Sequence, residues 1–337
     1  MRKIHILSTL FISVILSSAC NKQPYYQFQG PAQGGIYRVK YKGATIKPEA
    51  LQIKVDSLLS EIDNTLSGYN PHSLLSHFNS GDSIVLSKMF FDLYELSYDM
   101  WKRSEGAFDV ACGSLYDLWG FGFKSSSNPT EGQIKECLRS CGTARLKKPA
   151  ELRNLIGKSI SSMDFLHEGE SAPPRFNFNA IAQGYSCDVV AGLLKKYGVK
   201  DMLVDIGEIY CCGNGPSGLG WTIAIDNPVD GNNTPGADIK EVWNTEGQAL
   251  GVVTSGNYRK FYIKDGKKYS HTIDPRTGYP VSHSLLSATV TASTAYEADA
   301  LATCFMVIGK EKAIEYLYDH PQIHAFLISE DEIWKNW

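Results

Sequence analysis

The densest concentration of groups able to do chemistry lies between Tyr258 and Thr303. His271-Thr272-Ile273-Asp274-Pro275-Arg276-Thr277-Gly278 puts an imidazole, a carboxylate and a guanidinium into one polar turn. Tyr258-Arg259-Lys260-Phe261, just before it, reads as a strand, and Glu297 to Thr303, after it, as the start of a helix. In that helix Asp299 and Thr303 are four residues apart and share a face. A carboxylate and a hydroxyl so placed offer two hard oxygen ligands, which suit Mg²⁺ better than a soft metal. An imidazole, an arginine and a Mg²⁺ site point to chemistry on a phosphate ester. His271 is the candidate general base, as the group there whose ordinary pKa lies near neutrality. Asp274 would orient it or position a substrate hydroxyl. The same residues also suit a plain strand end followed by an Asp-Pro turn, and Asp299 suits a helix start on dipole grounds alone.

Further blocks lie upstream. They are Leu66-Ser67-Gly68-Tyr69-Asn70-Pro71-His72-Ser73, Ser76-His77-Phe78-Asn79, Gly106-Ala107-Phe108-Asp109-Val110, Leu118-Trp119-Gly120-Phe121-Gly122, and Ala180-Ile181-Ala182-Gln183-Gly184-Tyr185 followed by Asp188. Together with the H-x-I-D-P-x-T-G stretch at His271 and the A-D-A-x-x-T stretch at Ala298, they run in the order found in the ApbE-type FAD:protein FMN transferases. The chain resembles that family from about Gly34 to about Gly309.

The resemblance implies a bilobed α+β fold, T-fold-like, with mixed sheets flanked by helices and the flavin between the lobes. It implies transfer of FMN from FAD to a threonine hydroxyl of a target redox protein, with Mg²⁺ and with release of AMP. Asp299, Thr303 and the backbone carbonyl of Ala180 would hold the metal, and His271 and Asp274 would serve the proton transfer. FAD contacts would fall on Gln33, Tyr69, Ala107, Phe108, Asp109, Asn177, Gln183 and Ile273. The sequence departs from the pattern at Asn177 and Gln183, which are neutral where the family is usually charged, and at Ile206-Gly207-Glu208-Ile209, which lacks one glycine of the family's G-G-E-I. Two other readings use the same site: an FAD pyrophosphatase, with water as acceptor, and a non-catalytic periplasmic flavin-binding lipoprotein. Lys42-Gly43-Ala44-Thr45 resembles the short acceptor motif of the family's protein substrates, which raises self-modification at Thr45.

The 337 residues allow one large domain or two closely packed lobes. A formal charge of −3 without a basic stripe argues against nucleic acid as a partner. Arg2-Lys3, the apolar run Ile4 to Leu16 and the small residues before Cys20 form a leader too short to span a bilayer comfortably. It resembles a bacterial lipoprotein signal over residues 1–19, with Leu16 one position early and Cys20 as the lipidated residue. An ordinary secretory signal is the other reading. The expectation is a protein anchored by lipid to the cell envelope and facing the periplasm, with residues 20–33 as a tether and 34–337 as the catalytic domain. Its partners would be FAD, the membrane and an exported or membrane redox protein. Of the eight cysteines, those beyond Cys20 form no zinc spacing and read as small buried hydrophobes rather than a disulfide framework.

Hydrophobic spacing predicts helices over Glu49–Leu66, Lys88–Arg103, Gln183–Tyr197, Glu297–Ile308 and Glu311–Tyr318. Strands are predicted over Gly35–Tyr41, Met202–Ile206, Trp221–Ile225, Leu286–Ala292 and Ile323–Ile328. Thr130, three residues before Gln133, is a predicted helix cap. Ser125–Glu131 and Pro228–Gly236 read as loops. Strands and helices do not alternate regularly, which favours α+β over a doubly wound sheet.

Overall fold

The computed structural model describes residues 24–122, 129–229, 232, 234, 236–257, 261–264 and 267–337. The expected leader with Cys20, the Tyr258–Lys260 part of the predicted strand, and most of the Ser125–Glu131 loop lie outside the described residues. Among the described residues, no helix is long and apolar enough to cross a membrane.

The frame is an eight-stranded sheet, antiparallel at every pairing. Its strands, in spatial order, are Tyr25–Ala32, Gly35–Lys42, Asp201–Asp205, Ile209–Cys212, Leu250–Gly256, Leu285–Ala292, His324–Ser329 and Ile333–Lys335. Helices and short hairpins complete the α+β fold anticipated from the irregular order of elements. One correction concerns the proposed tether: from Tyr25 to Ala32 it is the first strand of this sheet, so the fold begins before Gly34. Its partner begins two residues later, and Gln33 and Gly34 both have positive φ, 49° and 79°. That is the backbone a two-residue hairpin turn needs to match strand twist. A polar, glycine-containing stretch was thus a hairpin, held by aromatic packing of Phe28 on Tyr37 and Tyr41.

The predicted helices form with small changes of boundary. Pro48–Leu66 buries Leu51, Val55, Leu59, Ile62 and Leu66 along one stripe. Lys88–Arg103 starts at Ser87, whose hydroxyl accepts from the Phe90 amide at 3.1 Å. Thr130 and Gln133 form a reciprocal capping box at Glu131–Ser140. Between these helices lies an aromatic core in which Phe78, Phe90, Tyr94, Phe165 and Phe176 meet at centroid separations of 4.9 to 6.4 Å. Phe176 enters that core because the Asn79 side chain imitates a strand partner. Its amide donates to the Phe176 carbonyl at 2.8 Å, and its oxygen accepts from the Phe176 amide at 2.7 Å. Asn177 is thereby set at the edge of the cleft described below.

Two helices on the sheet, Ala182–Lys196 and Ala295–Ile308, carry the central contact. The second is buried almost all round, from Ala298 through Ala302 without a break. Its N-terminal end fits between two glycines: a Cβ at Gly184 would lie 2.3 Å from the Ala295 carbonyl oxygen, and one at Gly251 would lie 2.3 Å from the Ala295 Cα. The Asp188 carboxylate, from the neighbouring helix, accepts from the amides of Ala295 (2.9 Å) and Tyr296 (2.8 Å). It satisfies donors that the native N-cap, Thr294, does not.

The Ala182–Lys196 helix supplies an internal control. Gly184→Ala meets backbone and should destabilise by about 1–3 kcal/mol through overpacking. Gly192→Ala, in the same helix with open space around its Cβ, should stabilise by roughly 0.5–1 kcal/mol through helix propensity. Thermal unfolding of both variants checks this; a similar effect of the two would refute the close approach.

Candidate active site

A cleft of about 550 Å³ opens where the sheet, the two central helices and the helical half of the molecule meet. It gathers ten of the thirteen residues picked out from sequence. Tyr69, Ala107, Phe108 and Asp109 line it from the helical half, and Asn177, Ala180 and Gln183 from the approach to the first central helix. His271 lines it from the polar turn, and Asp299 and Thr303 from the second central helix.

Asp299 is the electrostatic centre. It is 4 % exposed, and its Oδ2 accepts from the Gly184 amide at 3.0 Å. Gly184 is the third residue of its helix, so its amide has no intrahelical acceptor, and Asp299 supplies one. Ala180, two residues before the helix, lines the cleft. Burial pushes the Asp299 carboxyl up to about 7, the Gly184 amide opposes this, and the charge of Asp188 adds to it. Asp188 is itself raised to about 6, chiefly by burial, against the pull of the Ala295 and Tyr296 amides. The Thr303 hydroxyl lies one turn beyond Asp299 and 3.4 Å from the Ser255 hydroxyl.

These donors fit a hard cation. A buried carboxylate held in the charged form only at a cost, a hydroxyl and a carbonyl on one wall are all oxygen ligands. Among the described residues there is no cluster of three or more His, Cys, Asp or Glu that could hold a metal.

The remaining walls are built by local geometry. The Tyr69 ring stands 66 % exposed at the mouth, and its hydroxyl accepts from the Asn179 side chain at 3.2 Å. The Asn177 oxygen accepts from the Asn179 amide at 2.9 Å. Gln183 donates to the Ile206 carbonyl at 3.1 Å, across Gly207, where a Cβ would sit 2.6 Å from the Gln183 Nε2 and φ is 93°. The single glycine kept from the family's pair is therefore the one this contact requires. Phe108, 2 % exposed, contributes an edge to the cleft and the rest of its ring to the core. Asp109 is also structural: its carboxylate accepts from the Thr143 amide and hydroxyl and from the Ala111 amide. The His271 ring lies 6.4 Å from that of Phe121, nearly edge-on.

Three expected residues are placed elsewhere. Gln33 sits in the first hairpin turn and donates to the Ser186 hydroxyl at 2.5 Å instead of lining the cleft. Ile273, expected to contact FAD through its backbone, is not among the residues lining the cleft; it pairs with Pro280, its side chain packs with Trp119 and Ile134, and its neighbour Thr272 lines the cleft. Asp274 is bound by Arg276, whose Nε and Nη2 reach its two oxygens at 2.9 and 2.8 Å. The bidentate pair closes the turn on itself, so both the carboxylate expected to assist His271 and the Arg276 guanidinium hold the turn in shape. Thr45 bonds Tyr197 through its amide at 2.9 Å. It therefore lies at the far end of the Ala182–Lys196 helix, roughly 20 Å along the axis from Gln183, and self-modification within one chain is out of reach.

Sequence reasoning missed Glu208, Thr254, Ser255 and Met306, which also line the cleft. Met306 was accessible from helical spacing, since positions 299, 303 and 306 share a face. Thr254 and Ser255 end a buried strand, and nothing in a single sequence marks them.

A family model described as the ApbE family matches residues 34–327. The chain belongs to the ApbE family. It is 32% identical over 315 residues to the FAD:protein FMN transferase of Escherichia coli K12, covering 92% of this chain and 86% of that protein. Solved structures of the flavin transferase ApbE from Vibrio cholerae and of the apo flavinyl transferase ApbE from Pseudomonas stutzeri are each 29% identical to it. They superpose with TM-scores of 0.75 and 0.76, covering 93% and 94% of this chain and 97% and 96% of theirs. The ApbE architecture and the α+β fold expected from sequence are both borne out.

The two raised carboxyls give a signed pH dependence. Each holds its proton more tightly folded than unfolded, where a carboxyl titrates near 3.8. Their contribution to metal-free stability is therefore present at low pH and is lost as pH rises through about 6 to 7. Asp299→Asn removes the more strongly raised of the two carboxyls. In chelator, its melting temperature should exceed that of the wild type more at pH 8 than at pH 5. Mg²⁺ at pH 8 should then raise the wild type and leave the variant unmoved. A difference independent of pH would refute the buried-charge assignment.

Proposed function

We propose that this chain uses Mg²⁺ to transfer the FMN moiety of FAD to a threonine hydroxyl of a target protein, releasing AMP. FMN transfer from FAD to a protein is the activity carried in the names of its relatives. The observation that supports the finer reading is the convergence of His271, Ala180, Asp299 and Thr303, from three separate segments, on one cleft.

Asp299, Thr303 and the Ala180 carbonyl would hold the metal, which would neutralise charge on the pyrophosphate oxygens. Tyr69 and the Ala107–Asp109 strip would hold the flavin nucleotide against the helical half, with Asn177 and Gln183 fixing the opposite wall through the bonds above. The acceptor hydroxyl would attack the phosphorus on the FMN side. One P–O bond forms, the bond to the AMP oxygen breaks, and His271 accepts the hydroxyl proton. Asp274 would act on the His271 side by holding the turn through Arg276.

Cys20 would carry lipid and fix the protein to the cell envelope, with an exported or membrane redox protein as acceptor. Cys20→Ala should release the protein from membranes or block processing; a wild-type product that is soluble and cleaved elsewhere would refute this.

Incubation with FAD, Mg²⁺ and an acceptor threonine peptide tests the reaction. The expected products are AMP and flavinylated peptide. AMP with free FMN and unmodified peptide would instead make it a pyrophosphatase. Asp299→Ala should abolish AMP release with the fold intact, and Thr303→Ala should weaken it less, because a neutral hydroxyl contributes less than a carboxylate. His271→Asn should slow transfer by about 10²–10⁴-fold with FAD affinity little changed. Collapse of affinity with turnover preserved at saturating FAD would make His271 a binding residue.

A further inference from the structure

Behind the Ala107–Val110 wall of the cleft, three thiols meet. Cys112 follows that wall, Cys141 stands at the C-cap of the Glu131–Ser140 helix, and Cys137 lies one turn earlier in it. Cys112 and Cys141 are 2 % and 7 % exposed, whereas Cys137 is only partly buried. All three pack with Leu115, Tyr116 and Leu138. Cys141 lies one helical turn after Cys137 and, through the backbone bond of its neighbour Gly142 to Ala111, opposite Cys112, so it stands between the other two in the cluster. The two segments are already tied on either side of the sulfurs. The Gly142 amide donates to the Ala111 carbonyl at 3.2 Å, and the Thr143 hydroxyl to the Asp109 carboxylate at 2.7 Å. Closing a bond between Cys112 and Cys141 would need little backbone movement.

Read from sequence alone, these cysteines were small hydrophobes. Packing asks only for volume; it does not ask for three thiols in one cluster with one of them partly open to solvent. We infer that Cys112, Cys137 and Cys141 form a thiol relay that closes a Cys112–Cys141 disulfide across the back of the cleft, with a small-molecule or protein disulfide as oxidant.

The chemistry balances as three exchanges. The Cys137 thiolate attacks the oxidant disulfide, forming a mixed disulfide and expelling one thiolate. The Cys141 thiolate attacks the Cys137 sulfur and expels the second, giving Cys137–Cys141. The Cys112 thiolate then attacks the Cys141 sulfur and returns Cys137 as a thiolate. Two protein thiols are oxidised, the oxidant is reduced to two thiols, and the protons released by the two protein thiols end on those leaving groups. Cys137 is the point of entry because it alone of the three is partly exposed. Its thiol is pushed up by the neighbouring Cys141 thiol and by burial, so the thiolate fraction is small and the exchange is slow.

The link would bear on both walls of the cleft. It joins the Ala107–Cys112 strip to the helix whose Ile134 packs with Ile273 and Trp119, while Trp119 donates to the Gly278 carbonyl at 2.8 Å. The wall behind Phe108 and the turn after His271 would become one cross-linked unit. None of this depends on the flavin reaction.

The test uses the whole protein, folded, with oxidised glutathione as oxidant, followed by alkylation of remaining thiols, digestion and peptide mapping. The expected product is a Cys112–Cys141 cross-linked peptide that dithiothreitol removes, with a melting temperature raised by on the order of 5 °C. In Cys137→Ser the same link should form roughly tenfold more slowly, since the exposed entry thiol is gone. Three alkylated cysteines after unfolding, a mixed disulfide resting on Cys137, or Cys137–Cys141 as the final product would each overturn the proposal. Equal rates in Cys137→Ser and wild type would overturn the relay.

Discussion

One hydrogen bond organises this molecule: the Gly184 amide donating to the buried Asp299 carboxylate at 3.0 Å. It requires the two central helices to touch backbone to backbone, and only a residue without Cβ permits that, since the space is filled by the Ala295 carbonyl and the Asp299 Cβ. It gives a partner to an amide of the first helical turn that has none within the helix. The reverse contact, Asp188 accepting from Ala295 and Tyr296, makes the arrangement reciprocal. Each helix supplies a carboxylate to amides of the other. The position of Asp299 relative to Ala180 is thus fixed by four groups that never need to touch a substrate.

The cost of this arrangement is two carboxyls buried near each other. Both are raised, so without a cation the fold carries charge it would rather lose. A hydrophobic pair would pack there more stably. On the proposed function, the buried carboxylates serve cation binding rather than stability. The distinction between them is geometric. Both Asp188 oxygens are spent on backbone amides, while Asp299 has one oxygen on Gly184 and lines the cleft.

Much of the fold could be read from the sequence where one face is apolar at a regular period. Helices Pro48–Leu66, Lys88–Arg103 and Ala295–Ile308 and strands Gly35–Lys42 and Leu285–Ala292 all fall close to where spacing puts them. Tyr25–Ala32 escaped because its outer face is polar and it carries a glycine and a proline near the turn, which together imitate a tether. The candidate site was legible wherever a motif residue presents its own side chain to the cleft, as at Tyr69, His271, Asp299 and Thr303. It was misread where the motif residue serves the scaffold. Ile273 and Asp274 belong to a turn whose conserved-looking polarity is consumed internally. Asn79 does its work by clamping another segment's backbone, which one sequence cannot reveal.

The neutral residues at 177 and 183 take a different meaning once their partners are known. Asn177 accepts from an amide two residues on, and Gln183 donates to the Ile206 carbonyl. Neither bond requires a formal charge: a carboxylate at 177 would accept from the same amide, and an ammonium at 183 would donate to the same carbonyl. The neutral residues make both bonds without a formal charge. What is lost is the ability of these positions to tune a bound phosphate by charge; what is kept is the shape of the wall. On the proposed reaction, Asp299 rather than its neighbours carries the charge of the cleft, and the wall beside it keeps its shape through bonds that need none.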